Sequence, residues 1–348
     1  MSTIQEYIDK NLDSDQMAAI NADRNTVVSA GAGSGKTTVL SYRFLRLIVE
    51  GKASVDEILT LTFTRKAAAE MHERIHRLLA VNSGNTLIMK QLRQFDKANI
   101  STLDSFCARI ARTDCIRYGI PVDFVQDDEK SMQIARETAM EMLLVQGGAQ
   151  GDKGLLELIR LHTVDGVLGE ILLPLALNFC SPAQPIDFSA CAAAQAAALK
   201  LEADKKMLIL IKSAELILTL PQTSKILKQA AETVQEFLDT VHSPAADRHW
   251  ESTGKALENL RIWRKPSGKK VELLQLRAET ELWKEEFPLL VLLAKSLAKK
   301  TVMRDIYLFL SRFQEEFLKR KRSAGILSFL DVSTLAVDIL LTSESVRS

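Results

Sequence analysis

The 348-residue sequence has only four cysteines, Cys107, Cys115, Cys180 and Cys191, and no C-x-x-C pair among them. This scatter excludes a disulfide framework, a zinc knuckle and an iron–sulfur cradle, and it favours a reducing compartment. Long apolar runs are also lacking. The stretches around Ile171–Cys180 and Pro288–Ala294 fall short of the roughly 20 residues a membrane helix needs. The polar start MSTIQEYIDKNLD has no apolar core of the kind a secretory signal requires. There is little net charge of either sign, +1 overall, so the total by itself names no partner. What is present is a 47% apolar chain, enough for a substantial core in two domains or one large lobed one. Its charge is unevenly placed: +3 over residues 1–120, −8 over 121–254, +8 over 255–325 and −2 over 326–348.

The most informative stretch is VVSAGAGSGKTTVL, Val27 to Leu40. Thr26, Val27 and Val28 predict a short buried strand. Val39, Leu40, Phe44, Leu47 and Ile48 recur at helical spacing behind the loop. A loop between a strand and a helix N-terminus aims successive backbone N–H groups at one spot, and small residues let phosphate oxygens approach them. Ala30, Gly31, Ala32, Gly33, Ser34 and Gly35 supply the small residues. Lys36 adds a point charge for the β- and γ-phosphates, and the Thr37 hydroxyl is a Mg²⁺ ligand. The pattern G-x-x-x-x-G-K-[ST] is met except at its first position, where Ala30 replaces glycine. The expected cofactors are therefore ATP and Mg²⁺.

Strand and helix alternate through the first third, as in a parallel sheet with crossover helices. Ile58–Thr64 predicts a strand and Arg65 to about Ala80 a helix; Asn99–Leu103 predicts a further strand and Asp104–Tyr118 a helix, with Asp104 or Thr102 as its N-cap. From about Asp127 to Lys321 the pattern becomes long helical stretches at 188–218, 224–241, 271–297 and 302–322. Gly147-Gly148, Ser181-Pro182, Pro221, Ser243-Pro244 and Pro266–Gly268 separate helices there.

Three stretches resemble one family. LDSDQMAAI (Leu12–Ile20), SAGAGSGKT (Ser29–Thr37) and LTFTRKAAAEMHERI (Leu61–Ile75) are similar to the first motifs of UvrD/Rep-type superfamily 1 DNA helicases, and ISTLDSFC (Ile100–Cys107) to the next. The Thr-Leu-x-Ser-Phe-Cys form and the long helical insert most resemble the AddA and RecB helicase subunits of bacterial helicase-nucleases. RKRSAGILSFLDVSTLAVDIL (Arg320–Leu340) resembles their segment returning from the insert. The resemblance implies that Gln16 and Thr38 lie at the nucleotide, that Gln16 reads the adenine edge, and that Thr62, Phe63, Thr64 and Thr102 face single-stranded DNA. Short hydroxyl side chains suit phosphate, and an aromatic can stack on a base. Thr38 stands where many relatives have Arg, Asp104 where His is frequent, and Ser328 where Asp is common.

The fold class expected on this basis is α/β: an incomplete P-loop NTPase (RecA-like) parallel sheet carrying a large all-helical inserted domain. The expected division is an ATP-binding part over 1–125, the helical insert over 126–320 and a return segment over 321–348. No strand ending in Asp-Glu is seen after Leu340, so the chain reads as the N-terminal part of an ATP-dependent helicase that is inactive alone. The resemblance implies a bacterial cytoplasmic protein acting in double-strand-break repair and recombination. It also implies DNA and a second helicase-nuclease subunit for partners, with 3′ to 5′ movement. Two alternatives remain: a P-loop kinase or GTPase, and a non-catalytic interaction module keeping a relic loop.

Two other features imitate function, and a third stays open between two readings. His72-Glu73-Arg74-Ile75-His76 is a formal H-E-x-x-H, but no third ligand follows, and the helical motif accounts for Glu73 to Ile75. Asp127-Asp128-Glu129 ends an apolar stretch as an Mg²⁺ site does, yet Pro121 and Asp123 interrupt that stretch and carboxylates suit a helix N-terminus. The basic run Arg261–Lys270, with Trp263 inside it, fits either a DNA-backbone contact or solvated helix ends.

Overall fold

Short polar side chains fix where most helices begin. In the computed structural model, which describes residues 12–31, 33–146, 151–242 and 250–347, the chain divides into two units, residues 1–126 with 328–348, and residues 127–327. In the first unit α1 (Ser14–Asn21) starts with a capping box. The Asp13 carboxylate accepts the Gln16 N–H at 2.7 Å, and Gln16 Oε1 accepts the Asp13 N–H at 3.0 Å. After the glycine-rich loop come α2 (Lys36–Val49), β1 (Leu59–Thr62), α3 (Arg65–Val81), α4 (Thr86–Leu92), β2 (Asn99–Thr102), α5 (Leu103–Asp114) and the two-residue strand β3 (Val125–Gln126). Thr64 caps α3 and Thr102 caps α5.

The apolar residues of α3 recur at three- and four-residue steps. Met71, Ile75 and Leu79 thereby meet Phe44, Leu45 and Ile48 of α2, with Ile88 and Phe95 closing the cluster. β1 and β2 run parallel in register, Leu59 opposite Asn99 through Thr62 opposite Thr102.

The expected strand at Thr26–Val28 does not form. These residues pair with no strand among the described residues, and Val27 is 97% exposed. A strand is held by its ladder, and β1 and β2 pair only with each other here, so β-branched composition alone leaves the segment extended and solvated. The parallel sheet of this unit is thus shorter than the sequence suggests, and most of the chain is helical.

The second unit is built from α6 (Asp128–Gln146), α7 (Lys153–Gly166), a π-helical turn at Val167–Leu172, α8 (Leu173–Asn178), α9 (Phe188–Thr219), α10 (Lys225–Val241), α11 (Trp250–Asn259), α12 (Val271–Ala298) and α13 (Lys300–Ala324), ending in the two-residue strand β4 (Ile326–Leu327). One core joins α9 to α12 around Phe237, Trp283, Phe287 and Leu290. A second joins α6, α7, α8 and α13 around Leu155, Phe309, Phe313 and Phe317. Buried indoles need partners for their N–H. Trp283 Nε1 donates to Ser213 Oγ at 2.9 Å and Trp263 Nε1 to Thr280 Oγ1 at 2.8 Å.

The chain then returns to the first unit with α14 (Phe329–Thr342) and α15 (Glu344–Arg347). α14 packs Ala336 and Ile339 against Ile110 of α5, and the Tyr118 hydroxyl donates to Asp338 at 2.5 Å. Among the described residues no helix is long and apolar enough to cross a membrane.

Candidate functional site

The loop before α2 owes its shape to two glycines. Gly33 has φ +79° and Gly35 φ +78°, a region that L side chains rarely adopt, and Gly35 is the N-cap of α2. The left-handed turn at Gly35 leads straight into the helix, and the first N–H groups of α2 have no intrahelical acceptor. The Lys36 ammonium folds back over the loop, donating to the carbonyls of Ala30 at 2.7 Å and Gly31 at 2.6 Å. Ser34 Oγ donates to the same Gly31 carbonyl at 2.8 Å. The Lys36 ammonium, the first N–H groups of α2 and the small residues of the loop are thus close neighbours in the chain, the parts from which an anion cradle is built. Ala32 lies outside the described residues. Thr37 is exposed on the first turn of α2.

Two side chains from outside the loop close on it. Gln16 Nε2 donates to the Ser34 carbonyl at 3.0 Å, which ties α1 to the loop. A carboxamide has two donor and two acceptor positions. Gln16 spends one of each on Ser34 and Asp13, and one of each remains. The second is Arg74 of α3, whose guanidinium donates to Thr38 Oγ1 at 2.8 Å. Sequence reasoning missed this residue because it assigned Arg74 to the helical motif alone. The signal was its place on α3, the helix that packs beside the loop helix.

A second group gathers at the carboxyl ends of β1 and β2, the usual ligand side of parallel strands. Thr62 and Thr102 are register partners there. The Thr62 hydroxyl donates to the Thr64 carbonyl at 3.1 Å, and the Thr64 hydroxyl accepts the Ala67 N–H at 3.1 Å. The Thr102 hydroxyl accepts the Ser105 N–H at 3.1 Å and donates to Ser105 Oγ at 2.8 Å. Thr102 is buried, so its hydroxyl serves the α5 cap, and what faces outward is the helix N-terminus it caps. Phe63 is 99% exposed between these threonines, an aromatic face free to stack.

The two histidines and Asp127 acquire structural roles. The rings of His72 and His76 lie 4.7 Å and 5.3 Å from that of Phe95, tilted against it. Asp127 accepts the Lys130 N–H at 3.0 Å at the start of α6, the dipole-complementing arrangement. Its carboxyl is held below the usual range, first by that backbone bond and then by the Lys130 charge, against the desolvation that raises it. Trp263 is buried in the helical core and unavailable for stacking, so the basic run offers charge only. Within that run Lys265 pairs with Glu281 at 2.8 Å, while Arg264, Lys269 and Lys270 are exposed. Ser328 caps α14 in a box with Asp331, a task that Ser and Asp perform equally.

Residues 12–348 match the sequence model of the UvrD/REP helicase N-terminal domain. Among curated proteins, an ATP-dependent helicase/nuclease subunit of Clostridioides difficile is 23% identical over 364 residues, covering 91% of this chain and 28% of that protein. The protein of the same name from Anoxybacillus flavithermus is 37% identical over 158 residues, covering 43% of this chain and 13% of the relative. That from Lactobacillus gasseri is 41% identical over 138 residues, covering 37% and 11%. The chain therefore spans less than a third of the length of these relatives.

Proposed function

The chain belongs to the UvrD/REP helicase N-terminal domain family, and from that premise we propose that it supplies the ATP-binding and DNA-contacting portion of an ATP-dependent DNA helicase. One observation carries this reading: Gly33 and Gly35 in left-handed conformation lead into α2, with the Lys36 ammonium folded over the loop.

In this reading the N–H groups of the loop and of α2 hold the β- and γ-phosphates. Lys36, now on the loop carbonyls, would supply the cation for the phosphate oxygens, and the Thr37 hydroxyl would hold Mg²⁺. Mg²⁺ supplies charge neutralisation when bound; the chain's part is to hold and orient the triphosphate. Gln16 keeps one free donor and one free acceptor, which match the N6–H and N7 of adenine and mismatch guanine, where O6 and N7 both accept. Single-stranded DNA lies over the ends of β1 and β2, with Phe63 stacked on a base and phosphates at the N-termini of α3 and α5. The exposed cations Arg264, Lys269 and Lys270 add sequence-independent attraction to a DNA backbone. The division into an ATP-binding part and a helical insert, the 3′ to 5′ direction, the role in double-strand-break repair and the partnership with a second subunit belong to the same proposal. They rest on the family and on the name that the relatives carry.

The test is equilibrium binding of Mg-ATP and of a fluorescent oligothymidylate to this chain. Lys36→Ala should abolish ATP binding while leaving the oligonucleotide bound, and Phe63→Ala should weaken the oligonucleotide by about 5- to 150-fold without changing ATP, since base stacking contributes about 1–3 kcal/mol. ATP affinity equal in wild type and Lys36→Ala would refute the cradle.

A further inference from the structure

The carboxamide of Gln16 sits on a helix that cannot hold its own place. α1 has eight residues, and an isolated helix of that length is marginal in water. It buries only Ile20. Its position is set instead by two arginines of α2. Arg43 Nη1 donates to the Ala19 carbonyl at 2.8 Å, and Arg46 Nη1 donates to the Ile20 carbonyl at 2.9 Å. These carbonyls belong to the last turn of α1, where carbonyls have no intrahelical donor. Ala19 and Ile20 are three and four residues from Gln16 and share its face of the helix.

Arg46 is itself fixed from several sides. It is 4% exposed, its Nε donates to Glu50 at 2.8 Å, and its Nη2 pairs with Asp23 just beyond α1. Lys52 joins the cluster through Asp23 at 2.7 Å and Glu50 at 2.8 Å. Hydrogen bonds from Arg46 and then Lys52 hold the Glu50 carboxyl below its ordinary range; for Asp23 the Lys52 bond comes first and the Arg46 bond second. The guanidinium thus links three points: the end of α1, the segment after it, and the body of the helix whose N-terminus is the phosphate loop.

We infer that Arg46, assisted by Arg43, is a positioning residue for base selectivity: it docks α1 onto α2 so that the Gln16 carboxamide stands beside the triphosphate cradle. The inference rests on the nucleotide reading above and extends it to residues that touch no nucleotide. Among the described residues α1 and the loop share the Gln16–Ser34 hydrogen bond, while the arginines hold the far end of α1. Removing the arginine bonds frees α1 to tilt about that contact. The base edge is then lost, but the cradle, formed by the loop and α2, stays intact.

The experiment compares binding of Mg-ATP, Mg-GTP and Mg-tripolyphosphate to the purified chain, in wild type, Arg46→Met, Arg43→Met, Gln16→Ala and the Arg46→Met/Gln16→Ala double variant. Arg46→Met should cut the preference for ATP over GTP by about three- to tenfold, the range that a lost hydrogen bond gives. Tripolyphosphate affinity should stay within about twofold, which a merely structural collapse would not allow. The double variant should match Gln16→Ala, because both act through one contact. Should Arg46→Met fail to fold, Arg43→Met, which removes a single bond, carries the same expectation at the lower end of the range.

An unchanged ATP preference in the folded arginine variants, or a parallel loss of tripolyphosphate binding, overturns the inference while leaving the nucleotide site standing. A wild-type chain that binds tripolyphosphate and ATP equally removes the base contact of Gln16, and with it the inference. A wild-type chain that binds neither refutes the phosphate cradle itself.

Discussion

Replacing Gly35 by alanine tests the loop conformation and its coupling to α1 in one measurement. At φ +78° an L side chain is strained by about 1–2 kcal/mol. The added Cβ would also lie 3.0 Å from Gln16 Nε2, so the carboxamide must move and its bond to the Ser34 carbonyl weakens, a further ~0.5–1.5 kcal/mol. Gly33, at φ +79° with nothing within 4 Å of its Cβ position, bears the conformational cost alone. Gly31 has open space and no positive φ, so Gly31→Ala should be nearly neutral. The expected order of destabilisation is Gly35→Ala, about 1.5–3.5 kcal/mol, then Gly33→Ala, about 1–2 kcal/mol, then Gly31→Ala. Urea unfolding followed by far-ultraviolet circular dichroism reads the whole chain. Tryptophan fluorescence reads only the helical unit, because Trp250, Trp263 and Trp283 all lie in residues 127–327. The glycine variants should shift the dichroism transition and leave the fluorescence transition in place. Equal costs for Gly33 and Gly35, or a costly Gly31→Ala, would show that the left-handed turn and the Gln16 contact are misassigned.

Gly154→Ala should destabilise the helical unit by about 1–3 kcal/mol or more and lower the tryptophan midpoint, because the new Cβ would strike the Asp305 carbonyl and come within 2.8 Å of the Ile306 nitrogen on α13; an unchanged midpoint would refute that close approach. Purified protein should carry no stoichiometric zinc, and His72→Ala should remain folded; one zinc per chain, lost in that variant, would restore the metal reading of the two histidines. The Arg46 cluster should make stability pH-dependent. Asp23 and Glu50 have folded pKa values below their unfolded ones, so their contribution is fully present above the unfolded values near about 4 and is lost as pH falls through the lowered ones. The difference in thermal midpoint between wild type and Asp23→Asn/Glu50→Gln should therefore be steady from neutral pH to about 5 and begin to shrink below about 4; a difference that grows as the pH falls below about 5 would mean that the cluster is not ionised as drawn.

Local chemistry in the sequence determined the punctuation of this protein. The helices from Arg65, Phe188, Lys225 and Val271 begin close to where the amphipathic pattern and the capping residues place them. β1 and β2 follow their Thr and apolar content, and the loop glycines lie where only glycine tolerates the backbone. These features depend on neighbours within a few residues, so one sequence carries them. Tertiary structure decided what depends on distant partners. Val27 and Val28 look like a buried strand, but a strand exists only through a ladder, and none reaches them. Trp263 looks like a stacking platform among cations until Thr280 of α12 accepts its indole N–H in the core. Between Asp104 and Thr102, the two N-cap candidates for α5, the structure selects Thr102, whose oxygen accepts the Ser105 N–H. Arg43 and Arg46 carry no motif that single-sequence reasoning could see, and Arg74 lies in a motif that names no partner for its side chain. Their guanidiniums reach Ala19, Ile20 and Thr38 across 24, 26 and 36 residues of chain, and only the packing of α1 and α3 against α2 brings those acceptors within hydrogen-bond range.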